Sequence, residues 1–136
     1  MPWVVDTCLL LDIGLDDPKF AERSERLLND KGAEGLVLCP VTFVELAPLF
    51  GGQIRATEEF LDNYGIDYQE DWKPEDTNRA AVAWSVYMVK RRTTGSARRP
   101  VADALIGTFA LRFDGILTRK RVDFARLAPG LRIVEP

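Results

Sequence analysis

Trp3-Val4-Val5 is a run of three β-favouring residues that stops at once on a carboxylate and a hydroxyl, Asp6 and Thr7. So short an apolar run with a polar stop predicts a buried strand whose C-terminal end carries an acid. In open parallel α/β sheets, ligands bind just outside the carboxyl ends of the strands. If this strand is central, Asp6 stands where chemistry is done.

The rest of the chain repeats the pattern. Cys8 to Leu11 open a short helix that breaks near Gly14, and Phe20, Arg23, Ser24, Leu27 and Leu28 give a second helical spacing that ends between Asn29 and Gly32. Leu36-Val37-Leu38-Cys39 is a second short apolar run, and strand, helix, strand is the opening unit of a parallel sheet. Pro40-Val41-Thr42 then leads into a helix from Phe43 to Ala47. Thr42 and Glu45 have the Thr-x-x-Glu spacing of a capping box, so stabilising the helix start competes with catalysis as the role of Glu45. A helix follows from Gln53 to Tyr64, then a short strand at Ile66-Asp67-Tyr68. A further helix starts at Pro74, its stripe of Ala80, Ala81, Trp84, Tyr87 and Met88 reading as core or subunit interface.

Lys90 to Arg99 is the most basic stretch, and Pro100 closes it as a good first helical residue. In the helix so begun, Ala102, Leu105, Ile106, Phe109, Ala110 and Phe113 form an apolar face. Asp103 lies on that same face in the first turn. The helix dipole favours a carboxylate there, but capping does not require an inward-facing side chain. Gly115-Ile116-Leu117-Thr118 is another strand with a polar end. Arg119 to Phe124 reads as a charged loop, Asp114 belongs to the opposite sheet edge, and Leu131 to Val134 form a last strand. The expected class is α/β, one domain over residues 1–136 with a parallel sheet of four to five strands.

Composition removes several chemistries. The chain has no histidine and two cysteines, Cys8 and Cys39, so Ser-His and Cys-His catalysis are excluded and a zinc site is not expected. No apolar run approaches the roughly 20 residues that span a bilayer, and no secretory leader pattern is visible, so a cytoplasmic location without membrane attachment is expected. The net charge of −3 hides an asymmetry: residues 1–76 carry 6 Lys and Arg against 17 Asp and Glu, whereas residues 77–136 carry 12 against 4. The basic half is suited to an anionic polymer, although solvated helix faces account for most of the individual charges. There is no phosphate loop of the Walker or dinucleotide type.

Four acids stand at comparable places: Asp6 at a strand end, Glu45 near the start of the helix after the second strand, Asp103 opening a late helix, and Asp123 beyond another strand end. Strand C-termini and helix N-termini share one edge of a doubly wound sheet, so the four are able to converge. Clustered carboxylates raise one another's pKa, and a hard divalent cation with oxygen ligands relieves the conflict, which points to magnesium or manganese.

The order and context of these acids resemble a PIN-domain ribonuclease, specifically the stand-alone VapC-type toxins of VapBC toxin–antitoxin pairs. The matching pieces are Val5-Asp6-Thr7, Pro40-Val41-Thr42 through Glu45-Leu46, Ala102-Asp103-Ala104-Leu105-Ile106, and Leu117-Thr118-Arg119 through Asp123-Phe124. Some relatives carry an acid directly after the Thr-Arg pair, where this chain has Lys120; others carry it three positions later, which suits Asp123.

The resemblance implies a three-layer α/β/α PIN-like domain acting as a magnesium-dependent endoribonuclease. Asp6, Glu45, Asp103 and Asp123 would be the catalytic and metal-binding acids, with manganese a possible substitute ion. Thr7 and Thr118 would give polar support. Arg98, Arg99, Arg119, Lys120 and Arg121 are the candidates for guiding the RNA backbone. A homodimer and a VapB-type antitoxin that masks the site are further implications. The alternatives are a non-catalytic RNA- or protein-binding module on a PIN-like fold, and a PIN nuclease of RNA processing outside toxin–antitoxin pairs. A phosphoaspartate receiver is disfavoured because Leu38-Cys39-Pro40 offers no acceptor aspartate. A haloacid-dehalogenase-like phosphatase is disfavoured because Cys8 stands where its second acid belongs.

Overall fold

The computed structural model describes the backbone of residues 2–94 and 100–136 and the side chains of residues 2–90 and 100–136. Five short strands, β1 (Trp3–Val5), β2 (Leu36–Val37), β3 (Ile66–Asp67), β4 (Gly115–Leu117) and β5 (Ile133–Val134), form one sheet in the order β3-β2-β1-β4-β5. Every neighbouring pair is parallel. The chain moves outward from β1 through β2 to β3, then returns to place β4 on the other side of β1. The strand order therefore reverses at β1 and β4, the position where open α/β sheets form their ligand crevice.

Side-chain alternation along the strands builds two cores. Trp3, Val5, Leu36, Ile66 and Leu117 point to one face, where they meet Leu9 and Leu10 of α1 (Thr7–Gly14), Leu27 and Leu28 of α2 (Ala21–Lys31), Leu46 of α3 (Pro40–Leu46) and Leu61 of α4 (Ile54–Asn63). Val4, Val37 and Ile116 point to the other face. There they pack on Ile106, Phe109 and Ala110 of α6 (Val101–Ala110) and on Phe124 of α7 (Arg121–Leu127). The long α5 (Pro74–Thr94) lies against α6 and α7. With helices on both faces, a central strand has no solvent side, so Trp3, Val4 and Val5 are all buried. This is the three-layer α/β/α architecture expected for a PIN-like domain.

Three local expectations change. The segment after β4 is not a loop: Arg121–Leu127 is helical, because Phe124 and Leu127 sit one turn apart and both reach the core. Helix α3 begins at Pro40 with Cys39 as its cap residue, so Thr42 and Glu45 lie inside the helix and form no capping box. Pro100 precedes α6 as its cap residue instead of opening it. Asp114 lies on the opposite edge, as expected, where its backbone N–H donates to the Pro2 carbonyl at 3.0 Å. Among the described residues, no helix is long and apolar enough to cross a membrane.

Just past the C-terminal end of α6, two residues before Asp114, Arg112 donates twice to Asp76 at 2.8 Å and stacks over the Phe109 and Phe113 rings. Asp76 is fully buried. Removing one partner of such a pair strands a charge in the interior, the costly half of the buried-ion-pair asymmetry. Arg112→Leu is therefore expected to lower stability by about 3 kcal/mol, read as a shift of the urea midpoint. Arg112→Leu combined with Asp76→Asn is expected to recover part of the loss, and equal stability of the single variant and the parent would contradict this account.

Candidate active site

Asp6 follows β1 directly. Its backbone N–H donates to the Leu117 carbonyl at 3.0 Å, so the β1–β4 ladder carries the residue right to the sheet edge. Its side chain is fully buried and both oxygens are engaged. Oδ1 accepts from the Thr7 backbone N–H at 2.8 Å, which caps α1. Oδ2 accepts from the Thr118 hydroxyl at 2.7 Å and the Cys8 thiol at 3.0 Å. Burial raises the Asp6 pKa above its ordinary 3.8, opposed by the Thr118 and Cys8 hydrogen bonds and the nearby Lys120 charge, while Asp103 adds to the rise. One carboxylate thus caps α1 and stands at the β1–β4 edge.

Thr7 ties α1 to α3. Its hydroxyl donates to Glu45 Oε1 at 2.6 Å and lies 3.1 Å from the buried Thr42 hydroxyl. Glu45 itself remains exposed at the rim. Asp103, third residue of α6, is buried, and both its oxygens face the Lys120 ammonium, at 3.4 and 3.5 Å. Burial works against the Lys120 charge, but Asp103 and Asp6 outweigh it and hold the lysine pKa above its usual value. Asp123 sits in the first turn of α7 and lines an open cavity of about 480 Å³ together with Arg119, Lys120, Arg121 and Glu135, toward β5.

The structure therefore brings Asp6, Thr7, Glu45, Asp103, Thr118 and Lys120 to the β1–β4 edge and places Asp123 on the neighbouring cavity. Among the described residues, no three His, Cys, Asp or Glu side chains stand close enough together to hold a metal ion as a protein cage. Magnesium rarely uses such a cage: one or two carboxylates suffice, with waters and substrate phosphates completing the octahedron. Asp6 and Asp103 are hard oxygen donors of the kind such an ion takes, and the Lys120 ammonium lies against Asp103. The Cys8 and Cys39 thiols are pushed up to about 12, chiefly by burial.

Two of the three described cations in the Arg119-Lys120-Arg121 run are tied to residues away from Asp6 and Asp103. Arg119 makes a bidentate pair with buried Asp12 at 2.8 Å and stacks on Phe20 at 4.0 Å, while Ser24 donates to the same carboxylate at 3.1 Å. Arg121 pairs with Glu135 and donates to the Ile133 carbonyl at 3.0 Å. Arg98 and Arg99 lie outside the described residues. Asp12 was identifiable in the sequence as an acid set in the apolar helix Thr7–Gly14. The thiol donor at Cys8 carries no comparable signal, because its spacing from Asp6 is that of any second helical residue. No family model, curated protein or solved structure matches the chain.

A raised pKa means that folded Asp6 binds its proton more tightly than unfolded Asp6 does. The resulting destabilisation is absent below the unfolded value of 3.8, grows as pH rises above it, and is complete once pH passes the raised folded value. Asp6→Asn is therefore expected to be more stable than the parent near neutral pH in the presence of chelator. The advantage is expected to shrink as pH approaches 3.8. Urea titrations across that range provide the check, and a difference independent of pH would refute the assignment.

Proposed function

We propose that the chain is a magnesium-dependent endoribonuclease of PIN-like class that hydrolyses RNA phosphodiester bonds as the toxin of a type II toxin–antitoxin pair. The observation that carries this reading is the pair of buried acids, Asp6 and Asp103, at the point where the strand order reverses, with Thr7, Thr118 and Glu45 around them. Ligands of open α/β sheets bind at that point, and an oxygen-rich, histidine-free set suits metal-assisted hydrolysis better than side-chain nucleophilic catalysis.

In this reading Asp6 and Asp103 would hold magnesium, which would supply activation of a water and positive charge toward the phosphate. Thr118 holds Asp6 in one orientation through its 2.7 Å hydrogen bond. Thr7 holds Glu45 at the rim, where an exposed carboxylate is placed to orient a water and accept its proton. The remaining cations of the basic half attract the RNA backbone. The toxin role, with a VapB-type antitoxin and a homodimeric form, rests on the resemblance of the acid-bearing segments. The non-catalytic binding module is favoured by one observation, the Lys120 ammonium lodged against Asp103.

Purified protein incubated with structured and unstructured RNAs is expected to cleave in magnesium and to stop in chelator. Asp6→Asn and Asp103→Asn are each expected to reduce cleavage by about 100-fold or more with unchanged circular dichroism. Full activity in either folded variant sinks the assignment, and absence of cleavage by the parent on every RNA favours the binding module.

A further inference from the structure

We propose that the Lys120 ammonium is the resident second cation of this site, so that the protein loads a single divalent ion and Lys120 itself supplies the other positive charge facing the substrate phosphate. The inference rests on reading Asp6 and Asp103 as the metal-binding acids.

The geometry supports a fixed charge. Lys120 Nζ straddles the Asp103 carboxylate, 3.4 Å from Oδ1 and 3.5 Å from Oδ2. The backbone beneath it is pinned on both sides. The Lys120 N–H donates to Thr118 Oγ1 at 2.9 Å, and that same hydroxyl donates to Asp6 at 2.7 Å. On one side Arg119 is locked to Asp12 by two 2.8 Å hydrogen bonds, and on the other Arg121 is held by Glu135 and the Ile133 carbonyl. The Lys120 stem is thus rooted beside Asp103.

Accessibility completes the case. The Lys120 side chain is 35% exposed, while that of Asp103 is 9% exposed. The Lys120 side chain is therefore open to an approaching phosphate, while its ammonium offsets part of the charge of the carboxylate behind it. A two-metal site needs two divalent ions roughly 3.5–4 Å apart sharing such carboxylates. With an ammonium against Asp103, a second divalent ion there would meet a like charge at close range in a partly desolvated setting. One divalent ion plus one ammonium puts less positive charge against the two carboxylates, and so meets less repulsion, than two divalent ions beside the same ammonium.

The test is a manganese titration of the full chain, with free Mn²⁺ followed by electron paramagnetic resonance, for the parent, Lys120→Gln and Lys120→Arg. The parent and Lys120→Arg are expected to bind one ion. Lys120→Gln is expected to bind Mn²⁺ about tenfold tighter or to take up a second ion. Unchanged affinity and stoichiometry in folded Lys120→Gln overturns the inference. So do two ions on the parent chain, a measurement that holds even if Lys120→Gln fails to fold, and so does absence of binding by all three proteins. RNA cleavage assayed alongside separates the two readings. Cleavage by the parent with no effect of Lys120→Gln on Mn²⁺ binding defeats this inference alone. The expected Mn²⁺ pattern with no cleavage of any RNA defeats the nuclease reading alone.

Discussion

A carboxylate buried at the tip of a central strand is the constraint on which the β1–β4 edge of this protein depends. Asp6 has no solvent exposure, and an ionised group in that position is tolerated only if its lone pairs are met by donors. Three donors meet them: the Thr7 backbone, the Thr118 hydroxyl and the Cys8 thiol. They come from two different strand ends, so the side chain is satisfied only when β1 and β4 are paired in register. The ladder bond from Asp6 N–H to the Leu117 carbonyl enforces that register. The fold thus precedes the edge physically: without the parallel pairing of β1 with β4 the acid keeps its local donors but loses the Thr118 hydroxyl, and burying it becomes more costly.

Around this edge the protein separates closely paired charge from charge that stays partly exposed. Arg112 with Asp76, and Arg119 with Asp12, are geometrically well-formed pairs in which a fully or largely buried aspartate takes two hydrogen bonds from a guanidinium lying on aromatic rings. The fork of an arginine suits that bidentate task. Lys120 is different in kind. Its ammonium is a point charge at longer range from Asp103, partly exposed, and it acts electrostatically on Asp6 as well. Arg119 anchors the segment after β4 to α1 and α2, and the neighbouring lysine is thereby held over the acids.

Much of this was legible in the sequence. Trp3 to Val5, Leu36 to Cys39 and Gly115 to Thr118 are apolar runs with polar ends because strands covered on both faces need apolar residues at every position. Asp103 could be placed inward because its position coincides with the apolar face of a strongly periodic helix. What failed was local. Thr42 and Glu45 have capping-box spacing, yet Pro40 starts the helix earlier, since its fixed φ and missing N–H suit the first helical turn. The segment after Thr118 was too charged to read as a helix, although Phe124 and Leu127 supply the anchor that makes it one.

The sequence by itself determined the alternation of strands and helices, the parallel sheet, and which acids lie at strand ends and helix starts, because these depend on short-range periodicity and on the chemistry of single residues. Only the tertiary structure decided which of those acids meet. Thr118 reaches Asp6 across 112 positions, Arg119 closes on Asp12 across 107, and Lys120 covers Asp103 across 17. These pairings depend on β4 lying beside β1, a neighbour relation set by packing two apolar faces between helices. No spacing within the chain encodes it.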